Sequence, residues 1–227
     1  DAGEAHFQAD SSIAGSYGYL SIDSAGAWTY QLTSNMDSLT GDDSLGNKYA
    51  TDTVTVMGAD GTQQSITVTI SGSNDAATIA GVLGGTMDEN AATVTGAATI
   101  ADLDAGEAHF QADSSVVGRY GYLSIDSVGN WTYTRDANLD SLTASASVVD
   151  TVTVLGADGI SNQAITVTIT GTNDIAELTG EVKGLVESDA AQTVDGQLNL
   201  IDLDAVDATV VVQEATPGTY GSFSVDA

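Results

Sequence analysis

Ten residues, Asp1 to Asp10, return letter for letter as Asp104 to Asp113. Tyr17 to Ser24 returns as Tyr120 to Ser127, Trp28-Thr29-Tyr30 as Trp131-Thr132-Tyr133, and Asp52 to Val56 as Asp150 to Val154. The first copy carries five extra residues near Gly41 to Tyr49, and the register is restored by Asn74-Asp75 and Asn173-Asp174. Self-similarity with a period of roughly a hundred residues restricts the chain to a tandem array of like units. The Asn-Asp pairs divide it into residues 1–75, which lack the start of a unit, 76–174, a complete unit, and 175–227, which lack the end. The expectation is a window onto a longer array.

Within the complete unit, alternation with period two marks strands, and Gly, Asn and Asp clusters mark turns. Strands are expected over Ala77–Leu83, Ala92–Ala101, His109–Gln111, Tyr120–Ile125, Trp131–Thr134, Val149–Leu155 and Ala164–Thr170, with an acidic turn at Met87-Asp88-Glu89-Asn90. Asp158-Gly159 is a hairpin signal between the last two. No stretch has helical periodicity. The reading is all-β: seven-stranded Greek-key β-sandwiches in a linear array. Val152, Val154, Ile165, Val167 and Ile169 are expected to face inward, with the intervening threonines facing water.

The second constraint is charge. There are 32 acidic residues against four basic ones, a formal net charge of -28. Phosphate binding needs Lys and Arg, which argues against nucleic acid as a partner. No apolar run is long enough to span a bilayer, so no membrane insertion is expected in this segment. The absence of cysteine excludes disulfides, thiol chemistry and Cys-based zinc sites. A compact fold of this charge repels itself, and divalent cations are the simple remedy.

The acids are not spread evenly. Asp102-Leu103-Asp104-Ala105-Gly106-Glu107 follows the second expected strand and has counterparts at Asp1-Ala2-Gly3-Glu4 and Asp202-Leu203-Asp204-Ala205-Val206-Asp207. Calcium requires six to eight oxygens, which no single loop here supplies. Loops that converge at one end of a sandwich do supply them. Asn74, Asp75, Asp102, Asp104, Glu107 and Asp158 are therefore candidate ligands at one joint between units. Asn173, Asp174, Asp202, Asp204 and Asp207 are candidates at the next, and Asp1, Glu4 and Asp60 belong to a joint before the first.

Other chemistries fit less well. An EF-hand needs its glycine one place later than Gly106, helices on both sides and a closing Glu. The Gly-rich nonapeptide of calcium β-rolls is missing. His6 and His109 share one repeat position and read as strand histidines. Trp28 and Trp131 read as core or turn packing ahead of a sugar platform, and Asn130-Trp131-Thr132 is a glycosylation sequon of a kind common by chance. Paired acids can hydrolyse glycosides, but an enzyme seldom needs its active site in every link of a chain. No enzyme is expected.

With these residues assembled, the chain resembles the VCBS repeat family of bacterial surface proteins and, more distantly, cadherin domains. The resemblance is carried by Ile169-Thr-Gly-Thr-Asn-Asp174, Asp102 to Glu107, Tyr120 to Asp126 with Trp131-Thr-Tyr133, and Gly156-Ala-Asp-Gly159. It implies a cadherin- or Ig-like sandwich, export to the bacterial cell surface, and a spacer role in adhesins or biofilm proteins. It also implies a division of ligands. Glu89 resembles the cadherin Glu that reaches the following joint, and Asp102 with Asp104, and Ala157-Asp158, resemble two further cadherin motifs. The third copy has Glu187-Ser188-Asp189 at a shifted place. The implied cofactor is Ca2+. The implied partners are neighbouring repeats, further copies of the chain, and a host or matrix surface reached through other domains. A self-assembling extracellular filament is the alternative reading, and a carbohydrate-binding module a third.

Overall fold

Threonine and valine alternate through Asp150-Thr-Val-Thr-Val154 and Ala164-Ile-Thr-Val-Thr-Ile169, which favours extended backbone with one dry and one wet face. The structure, a computed structural model, describes residues 5–40, 49–187, 189, 193–204 and 208–226. It is built of strands throughout. The first set comprises β1 (Asp10–Ala14), β2 (Gly18–Ile22), β3 (Trp28–Leu32), β4 (Tyr49–Met57) and β5 (Gln63–Ser71). The second comprises β6 (Thr78–Gly81), β7 (Gly84–Asp88), β8 (Thr93–Ala101), β9 (Asp113–Val117), β10 (Gly121–Ile125), β11 (Asn130–Arg135), β12 (Ser147–Leu155) and β13 (Asn162–Thr170). The third comprises β14 (Glu177–Gly180), β15 (Leu198–Ile201), β16 (Gln213–Pro217) and β17 (Ser222–Val225). Among the described residues, no helix is long and apolar enough to cross a membrane.

The second set closes a two-layer sandwich. One sheet has the order β6-β8-β11-β10-β9 and the other β12-β13-β7. All pairings are antiparallel except β13 with β7. The core between the sheets contains Phe110, Leu123, Trp131, Tyr133, Val152, Val154, Ile165, Val167 and Ile169. The inward row expected from the sequence is thus the observed one.

Two expectations are corrected. The first strand does not run to Leu83: it stops at Gly81, and the chain crosses to the other sheet as β7, giving eight segments where seven were expected. Glycines at 81, 84 and 85 permit the crossing, which carries Met87 and Glu89 onto the second sheet's side. The expected strand at His109–Gln111 is a single bridge, Phe110 to Gly156, and the true strand is β9. His109 and His6 therefore lie outside strands and are exposed.

Trp131 shows what the crossing accomplishes. Its indole N–H donates to the Val82 carbonyl at 2.8 Å, and β8 places Gly96 directly opposite it. A Cβ at Gly96 would lie 2.3 Å from the indole ring, so only glycine admits the ring. Trp131 is 1% exposed, whereas Trp28, on β3 with β2 as its paired neighbour, is 49% exposed. The remaining strands form the sheet β1-β2-β3 and the pairs β4-β5, β14-β15 and β16-β17.

The first two strand sets each contain a buried carboxylate. Asp150 Oδ1 accepts from the Arg119 amide (2.9 Å) and Oδ2 from the Tyr120 amide (2.8 Å) and the Tyr133 hydroxyl (2.6 Å). Asp52 repeats this with Ser16, Tyr17 and Tyr30. A Cβ at Gly118 would lie 2.4 Å from Asp150 Oδ2, so the turn must be glycine to approach. Burial raises the Asp150 pKa, but its hydrogen-bond donors outweigh that and hold it below the ordinary 3.8. Burial first, then the hydrogen bond to Asp52, pushes Tyr30 up to about 12.

Candidate metal centre

Strand β8 ends at Ala101, and the chain turns at once through Asp102, Asp104 and Glu107. Asp104 and Glu107 are buried and Asp102 is half-buried. One ligand atom from each lies within 4.8 Å of the others. Like charges at that separation repel by roughly 3 kcal/mol near a protein surface. Burial of several carboxylates together is therefore costly without a cation.

The hydrogen bonds define how each carboxylate is used. Asp102 Oδ1 accepts from the Asp104 amide at 2.8 Å, and Asp102 Oδ2 is buried with no partner. Asp104 Oδ2 accepts from the Asp75 amide at 2.5 Å, and Asp104 Oδ1 is buried with no partner. Each of these side chains gives one oxygen to the backbone and presents the other bare. The turn also touches the preceding strand set, where the Ala105 amide donates to the Ser38 carbonyl at 3.2 Å.

The same pattern recurs about Asp204. Its Oδ2 accepts from the Asp174 amide at 2.9 Å, its Oδ1 is bare, and the side chain is fully buried. Asp204 N donates to Asp202 Oδ1 at 2.9 Å, as in the earlier copy. Glu89 arrives from the far end of β7. It is 1% exposed, its Oε1 accepts from both the amide and the hydroxyl of Thr172 (2.8 Å each), and its Oε2 is bare. Burial, then the charges of Asp204, Glu89, Asp140 and Asp202, raise the Asp174 pKa above 3.8. Asp174, whose amide is held by Asp204, thus carries a charge opposed by acids of two strand sets.

The remaining predicted residues divide as follows. Asp158 contacts the linker through the Ala77 amide at 3.0 Å but stands outside the Asp102, Asp104, Glu107 cluster. Burial raises its pKa, and hydrogen bonds from Ala77, Ser161 and Ile160 bring it below 3.8. Asn74 and Asn173 are exposed and turn their amides onto the carbonyls of Asp75 (3.4 Å) and Asp174 (2.7 Å). Asp60 is exposed, with its oxygens taken by the Thr62 amide and hydroxyl at 2.9 Å each. Glu187 is exposed and stands in no strand. Asp1, Glu4 and Asp207 lie outside the described residues.

Asp140 is an acid of this group that the sequence reading omitted. The signal was present: Asn35-Met36-Asp37-Ser38-Leu39 returns as Asn138-Leu139-Asp140-Ser141-Leu142. The loop of the first copy is the one whose Ser38 meets Ala105.

A scan of protein-family models matches none of them to this chain, and the curated proteins yield no match. Several solved structures are similar. Drosophila N-cadherin EC1-3 aligns at 14% identity and a TM-score of 0.37 over 78% of this chain and 58% of that one. PcdhgB3 EC1-4 aligns at 14% identity and a TM-score of 0.40, over 96% and 56%. Protocadherin Gamma C5 EC1-3 aligns at 17% identity and a TM-score of 0.39, over 88% and 67%. This chain therefore spans little more than half the length of the first two.

Proposed function

We propose that this chain is a non-catalytic, calcium-rigidified extender segment of a large exported adhesin or biofilm surface protein, built from residues 1–75, 76–174 and 175–227 as successive repeats. The observation that carries this reading is the set of bare, buried carboxylate oxygens: Asp102 Oδ2, Asp104 Oδ1, Asp204 Oδ1 and Glu89 Oε2. Buried polar atoms almost always have a partner, and oxygen-only sets suit a hard cation. Asp75, Asp102, Asp104 and Glu107 would hold calcium at the first joint. Glu89, Asp140, Asp174, Asp202 and Asp204 would hold it at the second, with Asp207 by repeat equivalence. Asp1, Glu4 and Asp60 correspond by repeat to Asp104, Glu107 and Asp158, and Glu187 stands near the place of Glu89. Bound calcium supplies positive charge that turns mutual repulsion into attraction.

The chain's own residues do the rest. Asp104 and Asp204 fix the linker amides to the following strand set, and Glu89 fixes Thr172 to the preceding one. Only Asn173 stands between the two holds in the second linker. Neutralising the acids on either side leaves little for the joint to bend about. Extracellular modules bind calcium with dissociation constants of about 10⁻⁴–10⁻³ M, so such joints fill outside a cell and empty within it. The bacterial cell-surface assignment rests on the sequence resemblance.

Small-angle scattering of the chain in millimolar calcium and in chelator tests the proposal. The expected result is a longer, narrower distance distribution with calcium. Identical curves, together with no heat on titrating calcium, would refute it. The filament reading draws on apolar side chains that β2 and β3 leave exposed, Tyr19, Trp28 and Leu32. Sedimentation that shifts with concentration would favour it.

A further inference from the structure

Asp158 occupies the place that the cadherin resemblance gives to an ion ligand, yet its bonding differs in kind from that of Asp102, Asp104 and Glu89. Oδ1 accepts from the amides of Ile160 (3.3 Å) and Ser161 (3.0 Å). Oδ2 accepts from the amides of Ala77 (3.0 Å) and Ser161 (3.2 Å). Three N–H groups thus meet this carboxylate, the Ser161 amide being shared between its two oxygens, so both oxygens are engaged by the backbone. Neither oxygen is bare, unlike those of Asp102, Asp104 and Glu89.

The linker is gripped from both sides at this point. While Asp158 takes the Ala77 N–H, Ser161 Oγ donates to the Ala77 carbonyl at 3.2 Å. Ala77 is held through both of its peptide groups by one hairpin turn 81 residues away. In the first copy the equivalent turn closes on itself: Asp60 Oδ2 takes the Thr62 hydroxyl.

We propose that Asp158 is a positioning residue and not an ion ligand. It pins the linker at Ala77 to the sandwich that follows, so the linker's register is set before any cation binds, and calcium decides only the angle to the sandwich before. This deepens the calcium reading above, but the pin itself needs no ion.

Amide exchange of the whole chain, followed by NMR in chelator, separates the two. In the unaltered chain the Ala77 amide is expected to exchange slowly. Asp158→Asn, whose Nδ2 cannot accept an N–H, is expected to speed Ala77 exchange by about tenfold or more while leaving Asp75 protected. Asp104→Asn is expected to do the reverse. Ser161→Ala, a milder change, is expected to speed Ala77 less and to settle the matter if Asp158→Asn fails to fold. Calorimetry then decides the ligand question. Asp158→Asn and Ser161→Ala should bind as many calcium ions as the unaltered chain, and Asp104→Asn fewer. Unchanged Ala77 exchange in both Asp158→Asn and Ser161→Ala, or loss of a calcium ion in Asp158→Asn, would overturn the assignment. An unaltered chain that takes up no calcium would sink the calcium reading and leave the exchange result to judge Asp158 alone.

Discussion

Asp150 and Asp104 are almost equally buried, 3% and 2% exposed, and they do opposite things. Asp150 sits within the sandwich, with the Arg119, Tyr120 and Thr151 amides and the Tyr133 hydroxyl all donating to it. Asp104 sits at the sandwich's end with one oxygen on the Asp75 amide and the other bare. The first carboxylate is complete and locks a turn to a strand. The second is half-complete, and the proposed calcium would supply what its bare oxygen lacks. Burial alone does not separate the two carboxylates; the count of donors does.

The largest effect expected is at the lock. Asp150→Ala strands two turn amides and a buried hydroxyl, and should cost about 3 kcal/mol or more. Tyr133→Phe removes one bond to a charged acceptor and should cost roughly 1.5–3 kcal/mol. Urea unfolding should give the same loss in calcium and in chelator for both variants. A loss that appears only in one condition would show the two regions to be coupled.

Removing the ion comes next. Calcium at ten times its dissociation constant should stabilise the chain by about 1.4 kcal/mol per site, and Asp104→Asn should abolish that increment at its joint. Equal urea midpoints with and without calcium in the unaltered chain would erase the contrast between the two carboxylates.

The smallest effect is the response to acid, and its sign differs between the regions. The Asp174 pKa is raised by burial and by its acidic neighbours, so the cost of charging it is present at neutral pH and disappears below 3.8. In chelator, the joint should therefore tighten as pH falls from neutral. The Asp150 pKa is lowered, so its contribution is full above 3.8 and is lost only as pH falls further through its folded value. Scattering should show the joint compacting at a pH where the near-ultraviolet circular dichroism of Tyr133 and Trp131 is unchanged. Both signals moving together would remove the distinction.

Some of this was readable in the residues. The Val152, Val154, Ile165, Val167 and Ile169 row follows from alternation, because a pleated strand puts every second side chain on one face. The turn at Asp102 to Glu107 was visible because three acids in six residues close a strand. The strand break at Val82-Leu83 was not, since nothing in a local pattern says that the chain will change sheets. Asp140 was missed because its loop, with only Asp136 as a second acid four residues earlier, has no dense acidic cluster. Asp52 and Asp150 were passed over although each stands in register with inward valines in both copies, which is itself a sign of a buried, hydrogen-bonded carboxylate.

The order of residues by itself determined that the chain is a series of like β-sandwiches with acids gathered at their turns, because repetition, period-two alternation and clustered charge are local properties. Which acids are satisfied and which are bare was decided by the tertiary structure alone. That depends on whether an amide from a residue far along the chain, Arg119 for Asp150 or Ala77 for Asp158, comes within hydrogen-bond reach. Such closeness is made by the packing of two sheets and by no stretch of sequence.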